Sequence, residues 1–298
     1  MKAWQKLAGF VLGLAVVFGV AVGIGTAVGP DRGVAATSTE HGAVSDELPA
    51  GLMSTQSGYS LDLAETRMDA GKNVPLRFRI TDSSGAPVTQ YVDSHEKQLH
   101  LIVVRRDMVG FQHVHPVRDG AGTWSVPVDL SRAGDYRVFA DFVPAGGQAL
   151  TLGADVHVAG RYDPQPLPPV ASKTTVDGYT VTLSGSPKAN EASMLTFSVS
   201  HDGKPATDLQ PYLGAYGHLV ALRTSDLAYL HVHPMGEPGA TPAGPEITFH
   251  TTFPSSGNYR LFLDFKHQNV VRTAEFTASV DHGPPSTMTT ESSQGHDH

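Results

Sequence analysis

The chemistry of this chain concentrates in six histidines arranged as two sets of three. His100 is followed by His113-Val114-His115-Pro116, and His218 is followed at the same spacing by His231-Val232-His233-Pro234. A neutral imidazole offers one lone pair, and three converging rings suit a copper ion, with zinc as the alternative, because divalent copper heads the affinity series for such ligands. The chain contains no cysteine. That excludes a disulfide framework, thiolate-bound zinc, a catalytic thiol, a blue-copper electron-transfer site and an acylated lipoprotein anchor. Asp141 and Asp264 also recur at matching places. Each is a candidate fourth ligand or an acceptor that fixes a histidine tautomer; the alternative is an acid at a strand end, facing solvent or paired with Arg137 or Arg260.

Strands are the elements that would position these rings. Residues two apart on a strand share a face, so His113 projects with His115 and His231 with His233. Residues 99–105 and 111–115 read as a hairpin, and a loop of two or four residues sets His100 opposite His113 or His115. Histidines can also fill a half-buried sheet by bonding to backbone. Three crowded acceptor nitrogens without donors, however, cost about 1–3 kcal/mol each, which favours an ion. Phe111 and Tyr229 lie two residues before each His-x-His and are expected to wall the site from water. Met108 and Met235 do not align and read as packing residues. His95, His157, His201, His250 and His267 have no aligned histidine in the other copy.

The histidines belong to an internal repeat. Residues 100–116 and 218–234 align without a gap, with seven identities of which three are the histidines. Downstream, Tyr136-Arg137-Val138-Phe139-Ala140-Asp141-Phe142 matches Tyr259-Arg260-Leu261-Phe262-Leu263-Asp264-Phe265, each after a glycine turn at Gly134 or Gly257. Short β-type runs separated by turn signals predict an all-β chain: two tandem antiparallel β-sandwiches, immunoglobulin-like or cupredoxin-like. The Gly-Asp-Tyr136 and Gly-Asn-Tyr259 steps resemble the tyrosine-bearing strand of immunoglobulin-like sandwiches. The expected organisation is a membrane segment over 1–29, a flexible stalk over 30–56, one sandwich over 57–160, a proline-rich linker over 161–174, a second sandwich over 175–281, and a disordered tail over 282–298 carrying His296 and His298. The linker's prolines are expected to leave few contacts between the sandwiches, so that each folds separately.

Lys2 and Lys6 precede an apolar run over residues 7–28. A span of about 20 apolar residues fits a retained single-pass anchor better than a cleaved signal, with the bulk of the chain outside the cytoplasm. Cleavage near Ala36 with secretion is the alternative. The net charge of −8 and the lack of a basic stripe argue against nucleic acid.

The segment over 212–234, with Gly217-His218-Leu219-Val220, Asp226 and Leu230-His231-Val232-His233-Pro234, resembles bacterial, actinobacterial-type exported proteins associated with heavy metals or copper. The resemblance covers both repeats and implies an extracytoplasmic location, often with an N-terminal membrane segment. The leading expectation is a non-enzymatic, membrane-tethered protein that buffers, senses or transfers metal through one histidine triad per domain. A cupin-type metalloenzyme is a second reading, because His231, His233, Glu237 and Gly244 match part of that family's first metal motif. In that motif Ser225 replaces the leading glycine, the first repeat has Asp119 in place of the glutamate, and no histidine stands where the family's second motif would carry one. A surface scaffold or adhesion module with structural histidines is a third.

Overall fold

The computed structural model describes residues 49–282, the side chains of His231 and His233 excepted. The anchor, most of the stalk and the tail with His296 and His298 lie outside the described residues.

The first repeat contains β1 (Thr55–Gln56), β2 (Tyr59–Leu63), β3 (Arg67–Met68), β4 (Val74–Thr81), β5 (Tyr91–Val92), β6 (Leu99–Arg105), β7 (Gln112–Val114), β8 (Val117–Arg118), β9 (Thr123–Val128), β10 (Gly134–Pro144) and β11 (Leu150–Val158). The second contains β12 (Lys173–Val176), β13 (Tyr179–Ser184), β14 (Ala192–His201), β15 (Lys204–Pro205), β16 (Gly217–Arg223), β17 (Tyr229–Pro234), β18 (Glu246–Thr252), β19 (Gly257–His267) and β20 (Val270–Val280). No helix occurs among the described residues. The first repeat packs the sheet β1-β2-β4-β9-β8 on the sheet β3-β11-β10-β6-β7, to which β5 is added. In the second repeat the same two layers are joined, because β17 pairs with β16 through Tyr229 to Val232 and with β18 through His233 and Pro234. The His-x-His-Pro strand is therefore where the chain passes from one layer to the other.

Burial follows from sequence pattern. Strand β4 alternates, its Leu76, Phe78 and Ile80 entering the core while Pro75, Arg77 and Arg79 face outward. Strand β6 does not alternate: all seven residues are buried. An apolar run of this kind marks a strand covered on both faces. Its Leu101 and Val103 join the core of the first repeat with Trp124 and Val138. Its Ile102 and Val104 join a separate cluster with Met108 and Phe139 from the first repeat and Val220, Leu222, Leu227, Tyr229 and Phe262 from the second. The core of the second repeat is built likewise, around Phe197, Leu219, Ala221, Phe249 and Leu263.

The tyrosine-bearing strand is as expected. Tyr136 Oη donates to Arg132 O at 2.8 Å, and Tyr259 Oη donates to Ser255 O at 3.0 Å, each closing the corner that precedes its strand.

Three expectations are corrected. The two repeats share a buried apolar seam, so few contacts between them is not what the chain does. The end of the stalk is built into that seam: Tyr229 N donates to Ala50 O at 2.9 Å, while Arg137 Nη2 donates to Gly51 O at 2.6 Å. Lastly, β12 begins at Lys173, inside the stretch expected to be linker.

Candidate metal centre

The hairpin β6–β7 fixes where the first triad sits. Leu101 pairs with Val114, Ile102 with His113 and Val103 with Gln112, and one further step along this register sets His100 opposite His115. His100, His113 and His115 thus share the face that carries Ile102 and Val104, the face toward the other repeat. One ligand nitrogen from each of the three lies within 4.8 Å of the others. His100 Nδ1 is 3.1 Å from His113 Nε2 and 3.2 Å from His115 Nε2.

The outer nitrogens decide the chemistry. His100 Nε2 lies 2.9 Å from Ser94 O, and a carbonyl only accepts, so Nε2 carries the hydrogen and Nδ1 of the neutral ring is bare. His113 Nδ1 lies 2.7 Å from Asp264 Oδ2 and donates to that carboxylate, which leaves Nε2 bare in the neutral ring. With both rings neutral, two lone pairs face each other at 3.1 Å. A hydrogen on His115 Nε2 can serve at most one of them, whereas a cation between the three rings serves all. With metal–nitrogen bonds of 2.0–2.1 Å, tetrahedral geometry spaces ligand nitrogens about 3.3 Å apart, close to the spacing here. Burial pulls His100 down to about 4 from the ordinary imidazole value. Burial, followed by repulsion from His113 and His100, pulls His115 down to about 3. Both rings are thereby held neutral at physiological pH, the form that binds metal.

The second repeat copies the backbone of this arrangement. Leu219 pairs with Val232 and Val220 with His231, so His218 and His233 hold the register positions of His100 and His115. His218 Nε2 donates to Tyr212 O at 2.7 Å, the counterpart of the bond to Ser94. Burial pulls His218 to about 4. The side chains of His231 and His233 lie outside the described residues.

Asp264 takes the tautomer-fixing role, but across the seam. It pairs in register with His218 of its own repeat and bonds to His113 of the other. Thr273 Oγ1 donates to its second oxygen at 2.6 Å. Asp141 is arranged reciprocally, accepting from Thr151 Oγ1 at 3.2 Å and from Tyr229 Oη of the other repeat at 3.3 Å. Pairing of these acids with Arg137 or Arg260 is overturned: Arg137 bonds Asp155, and Arg260 bonds Glu275. Phe111 stacks on Phe262 with centroids 3.9 Å apart, and Tyr229 packs on Phe139, so both aromatics weld the repeats together. Met108 is buried in the seam and Met235 is exposed. His157 pairs with Asp135 at the surface, and His267 is bound by Tyr179 and Asp208 away from the triad.

One histidine of this region escaped the sequence reading. His95 stands in the turn over Ser94 to Lys97, and its ring centroid lies 5.2 Å from that of His218 and 6.2 Å from that of His100. Alignment between copies could not flag it, because Leu213 occupies the matching place. The cue that was available is the unbroken apolar run of β6 and β16, which implies a second covering layer beside the histidines.

The family model described as Domain of unknown function (DUF8832) matches residues 54–160 and again 174–282. No curated protein matches the chain. Among solved structures, InvD of Yersinia pseudotuberculosis aligns at 12% identity and a TM-score of 0.26, over 77% of this chain and 59% of that one. This chain thus spans less than two thirds of InvD. The D0-D1 domain of intimin aligns at 11% identity and a TM-score of 0.22, over 74% and 97%. A putative membrane anchored protein from Corynebacterium diphtheriae aligns at 11% and 0.23, over 77% and 60%.

Proposed function

The chain belongs to the DUF8832 family through two copies of its domain, and for it we propose extracytoplasmic metal binding: a copper ion, with zinc as the alternative, held at the seam between the repeats and buffered or passed on without a catalytic step. The observation that carries this reading is the convergence of His100 Nδ1 on His113 Nε2 at 3.1 Å and on His115 Nε2 at 3.2 Å, while the outer nitrogens of His100 and His113 face a carbonyl and a carboxylate. As neutral rings without a shared partner, two such acceptors would cost about 1–3 kcal/mol apiece to bury, and a metal cation removes that cost. Affinity places copper first, since imidazole suits both ions and divalent copper heads the series. The N-terminal apolar run supports a tether that places the repeats outside the membrane, a proposal that rests on residues 7–28 alone.

The test is titration of the purified, metal-stripped chain with Cu(II) and Zn(II), followed by calorimetry and, for copper, electron paramagnetic resonance. Binding with nitrogen superhyperfine structure in the wild type, reduced by one equivalent in H113A/H115A, supports the reading. A wild-type chain that binds neither ion refutes it and leaves a surface scaffold with structural histidines.

A further inference from the structure

We propose that His95 of the first repeat is a ligand of the metal centre of the second, so that this centre is completed across the seam while the first keeps an open position. The inference rests on the metal-binding reading above and specifies how its two centres differ.

Ring spacing is the first observation. Within the first triad, centroids lie 5.3 Å apart for His100–His113, 5.0 Å for His100–His115 and 4.9 Å for His113–His115. His95–His218 falls in that range at 5.2 Å, whereas His95–His100 and His113–His218 are longer, at 6.2 and 6.3 Å. By that measure His95 is placed with His218 and not with the first triad.

The turn that carries it is the second observation. Ser94 and Lys97 exchange backbone hydrogen bonds at 2.8 and 3.1 Å around His95 and Glu96, whose φ values are +49° and +62°. Such a type I′ turn favours Asn-Gly or Gly, and side chains at positive φ are strained. The matching turn in the second repeat spans Tyr212 to Ala215, with Leu213 at +53° and Gly214 at +74°. The two turns meet across the seam, since a Cβ on Gly214 would lie 3.9 Å from Glu96 Oε1. His95 is thus delivered to His218 by a turn that also holds the carbonyl orienting His100. Leu213, at the matching position of the other turn, has no ligating atom to return.

The consequence is an asymmetric pair. The first centre has three imidazoles and an open coordination position, the arrangement suited to exchange or to an incoming partner ligand. The second has His218 and His95, with His231 and His233 at the matching register positions of β17, and so one candidate ligand more than the first, which suits it to retention. Two ions so close also repel, so the second to bind is held more weakly than an isolated site would hold it.

The experiment uses the full chain and H95L, a substitution that places at 95 the residue the sister turn already carries at positive φ. Wild type is expected to take two Cu(II) per chain, with dipolar coupling between them seen as a half-field resonance. In H95L the more tightly held ion should weaken at least tenfold against a competing chelator, with an unchanged urea midpoint in the metal-free state. In an H113A/H115A background, which isolates the second centre, H95L should also change the nitrogen superhyperfine pattern. Equal affinity and an identical spectrum with and without His95, on a wild type that does bind, would overturn the cross-seam ligand and leave the triad reading standing. A wild type that binds no ion would sink both.

Discussion

The buried imidazoles make the metal-free fold acid-labile in a defined window. His100 and His218 are about 5% and 7% exposed, and burial holds each near 4 instead of the 6.5 of the unfolded chain. Between those values the unfolded chain binds protons that the folded chain refuses, so stability falls as the pH falls. The loss is absent above about pH 7 and complete only below about 4. Carboxylates begin to titrate near pH 5, so the clean interval is 6.5 to 5. Over it each ring loses about 1.6 kcal/mol, because the unfolded ring is already half protonated at 6.5. The pair loses roughly 3 kcal/mol once their mutual repulsion is counted once, a large part of a typical 5–15 kcal/mol. His115 adds in the same direction but is partly exposed and is left out of that sum.

Urea denaturation in chelator, followed by near-ultraviolet circular dichroism between pH 8 and 5, measures the slope. H100Q/H218Q is the control, because glutamine can still donate to the Ser94 and Tyr212 carbonyls but does not titrate. Its stability should vary with pH by less than half the wild-type amount across the interval. A wild-type stability flat to within 1 kcal/mol from pH 7 to 5, or a slope unchanged in the double variant, would show that these rings are not held neutral by the fold.

Further outcomes follow from the seam. D264N keeps the shape at His113 but removes the charge that fixes its tautomer, and should weaken the first ion about 10–100-fold in chelator competition without a change in fold. G51A is expected to cost several kcal/mol in urea melts, because Gly51 sits at φ +75° and a Cβ there would lie 2.4 Å from Phe139 Cδ1. F262A removes the ring stacked on Phe111 and should cost about 3–5 kcal/mol. After proteolytic cleavage within residues 165–172 the two halves should co-elute in gel filtration, since the apolar seam holds them without the linker. Separate elution would restore the view of independent domains.

Much of the fold was legible in the sequence. Period-two patterning with glycine turns gave the all-β sandwich, and the gapless match between residues 100–116 and 218–234 gave the duplication, while parity left His100 opposite either His113 or His115 and the observed register selects His115. Strand parity placed His100, His113 and His115 on one face, and the structure brings them together. The run Leu99–Arg105 shows what was not read. A strand of one sandwich needs cover on a single face, yet seven consecutive buried positions require cover on both sides. Period two assigns a residue to a face and is silent on what lies against that face.

Duplication sharpens the same point, because aligning two copies rewards what they share and hides what they exchange. Asp264 aligns with Asp141, and each neighbours the first histidine of its own repeat in strand register. Strand register sets it beside the triad of its own repeat, but its carboxylate reaches His113 in the other. His95 was passed over for the same reason, since its counterpart is Leu213 and only a difference between copies could have marked it. Once two copies pack face to face, selection acts on each position twice, for its place in the repeat and for what it meets across the seam. Two of the divergences beside the shared histidines, His95 against Leu213 and Glu96 against Gly214, lie on the two turns that meet there. A pair of identical sites needs no such divergence, and a pair in which one site releases its ion more readily than the other does.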